Sequence, residues 1–152
     1  MVISIVQILI FVAYVMFIIT KFGVLDSISE SWYKLRSLGG VWYSLFTWFC
    51  WGLGFLMLFQ TNGSTPLFFL SGTGLMFVGA ATMFKLKDDL QPYIHFIGAA
   101  IGILGALVGL VIERGEWDPS LIFVIALTIF NFTIKVHRTW WIEIVAFLCI
   151  GL

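Results

Sequence analysis

Mostly apolar stretches occupy residues 2–20, 41–60, 67–84, 93–112, 117–134 and 139–152. A transmembrane helix needs ~20 such residues to cross a hydrocarbon core of ~30 Å. Composition agrees, with 61% hydrophobic and 11% charged residues, against roughly 45–50% and about 25% in a soluble domain. A fold of 152 residues cannot hide that much apolar surface from water. The expected fold is an all-α integral membrane protein forming one polytopic domain over residues 1–152. Its core is a bundle of six transmembrane helices, or five plus a short re-entrant sixth. The sixth run is the short one, because the 14 residues 139–152 rise only ~21 Å.

Charge sets the expected orientation. The connections after the first, third and fifth runs hold Lys21, Lys34, Arg36, Lys85, Lys87, Lys135 and Arg138, whereas the opposite side holds only Arg114. Cytoplasmic connections carry the excess of Lys and Arg. The odd-numbered connections are therefore expected in the cytoplasm and the N-terminus outside, with a bacterial inner membrane as the default location. The first run lacks a basic leader and a small-residue cleavage site, so it reads as a retained anchor rather than a signal peptide. Trp32, Trp42, Trp117, Trp140 and Trp141 fall at expected membrane interfaces, while Trp48 and Trp51 lie mid-run as packing groups.

The longest connection, 21–40, has its own pattern. Ser27-x-x-Glu30 reads as a capping box. Ile28, Trp32 and Leu35 then share one helical face, Glu30 and Lys34 pair on the other, and Gly39-Gly40 ends the helix. Residues 28–38 are expected to form an amphipathic helix lying on the cytoplasmic membrane surface.

The fourth run carries Gly98, Gly102, Gly105 and Gly109 at spacings of 4, 3 and 4. Small residues let helices approach closely in lipid. The third run offers Ser71, Gly74, Val78 and Ala81 as a matching stripe, so tight antiparallel packing of these two runs is the simplest expectation. A seam facing a second copy of the chain is the alternative.

Ionisable groups inside a membrane are functional candidates by default. Glu143, His95, Lys135 and Asn131 all lie toward the expected cytoplasmic end and form the candidate ligand or ion pathway. Three readings of them stay open. Glu143 can pair with Lys135 or Arg138, satisfying both charges and nothing more. A cytoplasm-facing polar cavity can bind a small solute or relay protons. His95, His137, Glu143 and an aspartate can form a metal site, although no helical ligand pair such as HExxH is present. Cys50 and Cys149 sit in apolar runs and read as membrane-buried filler.

No nucleophile elbow, phosphate loop or Ser-His-Asp spacing appears, so no catalytic residue, metal or cofactor is assigned. The eight basic and eight acidic residues cancel, leaving no field to attract nucleic acid. The expected partners are the lipid bilayer and either further copies of the chain or another membrane protein. The leading expectation is an oligomeric channel- or transporter-like bundle for a small solute or ion. The alternative is an accessory or anchor subunit that docks a larger complex through residues 28–38.

Overall fold

The computed structural model describes residues 2–60, 66–82 and 90–151, with side chains of the last segment from Tyr93 onward. The Asn62-Gly63 turn and Lys85, Lys87, Asp88 and Asp89 lie outside the described residues. Helices account for nearly all of the described chain, and no strand occurs among these residues. In order they are α1 (Val2–Phe22), α2 (Ser31–Leu38), α3 (Leu45–Leu58), α4 (Leu67–Ala81), α5 (Leu90–Arg114), α6 (Asp118–Thr133) and α7 (Arg138–Gly151). A single 3₁₀ turn, Gly40–Ser44, leads into α3.

Each of the apolar runs read from the sequence contains a helix. Three spans, Val2–Phe22, Gly40–Leu58 and Tyr93–Arg114, are long and apolar enough to cross a membrane. Helices α4, α6 and α7 have 15, 16 and 14 residues, rising only about 21–24 Å each. Length alone therefore supports three crossings rather than six.

Helix α4 lies between α3 and α5, and its small residues serve both neighbours. A Cβ on Gly54 would fall 2.5 Å from the Gly72 carbonyl oxygen, and one on Gly72 would fall 2.5 Å from that of Gly54. Only glycine permits that approach. On the other face, a Cβ on Gly74 would meet backbone atoms of Gly98 and Gly102 at 2.7 Å. Gly105 and Gly109 continue along the same line, against Ser71 and Phe68. The seam on α5 is thus filled by α4 of the same chain and is not open to a second copy. Side-chain hydrogen bonds reinforce both contacts: the Ser71 hydroxyl donates to the Gly102 carbonyl, and that of Thr47 donates to Gly79 at 3.1 Å. In a bilayer, where burying apolar surface against protein rather than lipid gains little, such packing and interhelical hydrogen bonds hold helices together.

Helix α1 packs on α3 and α7, and α7 also contacts α5 and α6. Helix α7 starts beside the loop after α1, where the Trp140 N–H donates to the Asp26 carbonyl at 3.1 Å. It ends against Ile8, near the start of α1. It therefore runs antiparallel to α1 along most of that helix. The axis between these helices is filled by aromatic rings. Tyr14 stacks on Phe49 at 3.9 Å between centroids and Phe11 stacks on Phe147 at 4.9 Å. Helix α6 is peripheral, with Phe123 its one buried residue.

The segment before α2 follows its sequence signature, with one shift. Ser27 Oγ accepts the Glu30 N–H at 3.1 Å, as a capping box requires. The Glu30 carboxylate reaches back to the Asp26 N–H at 2.8 Å rather than to Ser27. Gly39 at φ +68° stops α2, its N–H bonded to the Arg36 carbonyl. The apolar stripe does not face a membrane surface. Ile28, Trp32 and Leu35 are 2%, 4% and 0% exposed, buried against the end of the bundle. Helix α2 is a cap on its own protein, and the face on which a docking role would have relied is already occupied. Trp140 is likewise fully buried in the protein, whereas Trp48 points outward.

Candidate ligand-binding site

The loop before α2 is held down from three helices, and a cavity forms beneath it. The Ile28 N–H donates to Glu143 Oε2 of α7 at 2.5 Å. Ser29 Oγ lies 2.8 Å from His95 Nε2 of α5. Tyr14 of α1 contacts the Ser31 hydroxyl at 2.6 Å, and that hydroxyl donates to the Ile28 carbonyl at 2.5 Å. The loop folds this way because residues 27–30 turn at the start of a helix, where backbone N–H groups lack intrahelical acceptors. Ser27 and Glu143 supply two of those acceptors.

The cavity has a volume of about 700 Å³, within the usual range for small-molecule sites. Carboxylates of Asp26, Glu30 and Glu143 line it together with His95, Ser29 and the rings of Trp32, Phe46 and Phe96. Phe46 forms part of its inner wall, and beyond it stand the stacked rings of the bundle axis. Farther along that axis lies a gap of about 10 Å³, lined by Gln7, Phe11 and Phe147 among others, at the lower limit for holding one water. The indole N–H groups of Trp32 and Trp140 are buried without an acceptor among the described residues, and Trp32 borders the cavity.

Of the residues expected to form one pathway, the structure brings together two. Glu143 and His95 share the cavity, although neither contacts the other directly. Glu143 accepts a backbone N–H, not a charge from Lys135 or Arg138, so the ion-pair reading does not describe it. Lys135 and Asn131 do not line that cavity but a shallower, adjoining cleft of about 480 Å³ with His137 and Arg138, which shares Asp26 and Thr139 with it. Asn131 donates to the Leu127 carbonyl of its own helix at 2.9 Å. The proposed metal set is also divided, since His95 meets Ser29 while His137 Nδ1 lies 2.9 Å from Asp26 Oδ1. No group of three or more metal-ligating side chains occurs among the described residues.

A second polar network closes the other end of the bundle. Gln60 donates to Gln7 and accepts from Arg114, and Arg114 lies 4.5 Å over the Phe68 ring. The Leu67 N–H donates to Glu113 at 3.0 Å. The signals were a glutamine inside an apolar run and the lone arginine of that face, but no spacing rule joins residues 7, 60 and 114. Of the other cavity residues, Glu30 was visible only as part of a capping box and as the partner of Lys34, and Ser29 carried no signal of its own.

Comparison with known proteins adds no further constraint: no family model matches the chain, and no curated protein or solved structure matches it.

Proposed function

We propose that the chain is a six-crossing membrane protein that binds and passes a small organic cation through the cavity beneath α2. The observation that carries this reading is the cavity lining, in which three carboxylates stand among aromatic rings. Carboxylates select positive charge, and ring faces attract cations that bring an apolar body. Helices α4, α6 and α7 complete the crossings by drawing the bilayer thinner, at a modest cost per ångström of mismatch. The excess of Lys and Arg at the cavity end supports a cytoplasmic opening and an outside N-terminus. Aromatic rings and the Gln7–Gln60–Arg114 network lie between the cavity and the other face, so passage requires their rearrangement. Because the glycine seam is used within the chain, any oligomer forms on the outer faces.

The test is saturable binding of tetraphenylphosphonium to the purified protein, followed by its flux into proteoliposomes. Wild type binds and transports it, while Glu143→Gln lowers both by at least tenfold without loss of helicity. Equal binding and flux in the two proteins sinks the proposal.

One observation favours a second reading, a membrane hydrolase. Ser29 Oγ lies within hydrogen-bond reach of His95 Nε2 inside the same cavity, which is the nucleophile-base arrangement of acyl transfer. In that reaction Ser29 Oγ bonds to an ester carbonyl carbon as its proton passes to His95. The leaving alkoxide takes that proton, and water then hydrolyses the acyl-serine. Mass spectrometry after treatment with a fluorophosphonate separates the readings. A hydrolase acquires one adduct on Ser29, lost in Ser29→Ala and slowed in His95→Gln; absence of any adduct rejects it.

A further inference from the structure

The cleft at the α6–α7 connection adjoins the cavity, with Asp26 and Thr139 bordering both, and is arranged differently. Lys135 and Arg138 border it, together with Thr139 of the first turn of α7. Both cationic side chains are exposed, and neither makes a hydrogen bond or ion pair among the described residues. The carboxylate in the cleft, Asp26, is engaged by His137 at 2.9 Å. His137 stands at φ +53°, a left-handed conformation uncommon outside glycine. Lys135 and Arg138 stand on either side of this turn in the chain, and both border the cleft.

The surroundings of the cleft are apolar and face outward. Phe132 is 83% exposed and Val136 66% exposed. They continue from the outer face of α6, where Val124, Ile125 and Ile129 are also exposed. A basic cleft at the end of a lipid-exposed helix face matches an amphiphile with an anionic head and apolar chains. Juxtamembrane Lys and Arg gain about 1 kcal/mol each from anionic lipid. An uncharged or zwitterionic headgroup gains little of this.

We infer that this cleft binds the phosphate headgroup of an anionic phospholipid, with its acyl chains lying along α6. Lys135 and Arg138 take the phosphate oxygens, Thr139 adds a hydroxyl donor, and Phe132 and Val136 meet the first methylenes. This inference does not depend on what occupies the cavity beneath α2.

The test is native mass spectrometry of the full chain released from neutral detergent, titrated with phosphatidylglycerol or phosphatidylcholine of identical acyl chains. Wild type retains one phosphatidylglycerol with roughly thirtyfold preference, the scale expected for two basic contacts of about 1 kcal/mol each. Lys135→Gln/Arg138→Gln removes the preference. A control, Lys21→Gln/Lys34→Gln, removes two exposed cations from the same end of the bundle and keeps it. Equal loss in both double variants assigns the effect to net charge and overturns the site, as does an equal affinity of wild type for the two lipids. Displacement of phosphatidylglycerol by millimolar inorganic phosphate overturns the lipid assignment in favour of a free anion. Matching helical circular dichroism in all variants excludes misfolding as the cause.

Discussion

Glu143 Oε2 accepts the backbone N–H of Ile28 at 2.5 Å, joining residues 115 apart in sequence. This contact ties the cap α2 to the last helix and places a carboxylate on the cavity wall. Substitution can separate the two roles. Glu143→Gln keeps an oxygen acceptor for Ile28 and removes the charge. Glu143→Leu leaves a partly buried N–H without its partner, at about 1–3 kcal/mol. Thermal unfolding in mild detergent is expected to show Glu143→Leu clearly destabilised and Glu143→Gln much less so. The Ile28 amide should exchange with deuterium faster only in the leucine variant.

The contact between α3 and α4 predicts a sharp contrast between two glycines two residues apart. A Cβ on Gly54 meets the Gly72 carbonyl oxygen at 2.5 Å, whereas one on Gly52 meets nothing within 4 Å. Gly54→Ala is expected to lose about 1–3 kcal/mol through overpacking. Gly52→Ala should stay within about 0.5 kcal/mol of wild type. Denaturant titration of both variants in the same micelle measures the difference.

At the opposite end, Gln7 and Gln60 are hydrogen-bonded to each other. A double-mutant cycle with Gln7→Leu and Gln60→Leu should give a coupling of about 0.6 kcal/mol, and no more than about 1.7. A coupling indistinguishable from zero would mean that this network does not hold the end closed.

Cys50 and Cys149 are both free thiols and both buried. Maleimide should label neither in the native protein and both after full denaturation. Labelling of the native chain at Cys149 would show that α7 leaves its place against α1.

Much of the helical architecture was legible because apolar run length and glycine spacing are local properties. The α4–α5 interface could be read from Gly98, Gly102, Gly105 and Gly109 facing Ser71 and Gly74. The other side of α4 was missed: Gly72 and Gly79 share a face seven residues apart, but they meet Gly54 and Cys50 of α3, which form no run of small residues to pair with them. The face of α2 was identified correctly and its destination was not. Ile28, Trp32 and Leu35 form an apolar stripe whether they meet lipid or the bundle end, and periodicity cannot choose between them. The polar cluster failed for a related reason. Glu143, His95, Lys135 and Asn131 share a depth along the bundle, but depth leaves rotation about each helix axis undetermined. Rotation sends Glu143 inward to Ile28 and leaves Asn131 exposed on α6.

The contrast between α4 and α6 sets the order in which the protein should come apart. Helix α4 touches its neighbours almost backbone to backbone on two sides, so α3, α4 and α5 should open only together, near the free energy of global unfolding. Helix α6, with one buried side chain, should detach at far lower cost. Its amides would exchange first, and a protease reaching the membrane surface would find its ends before any other. Within the protein, Phe123 and the contacts of α6 with α5 and α7 are what keep that helix in place.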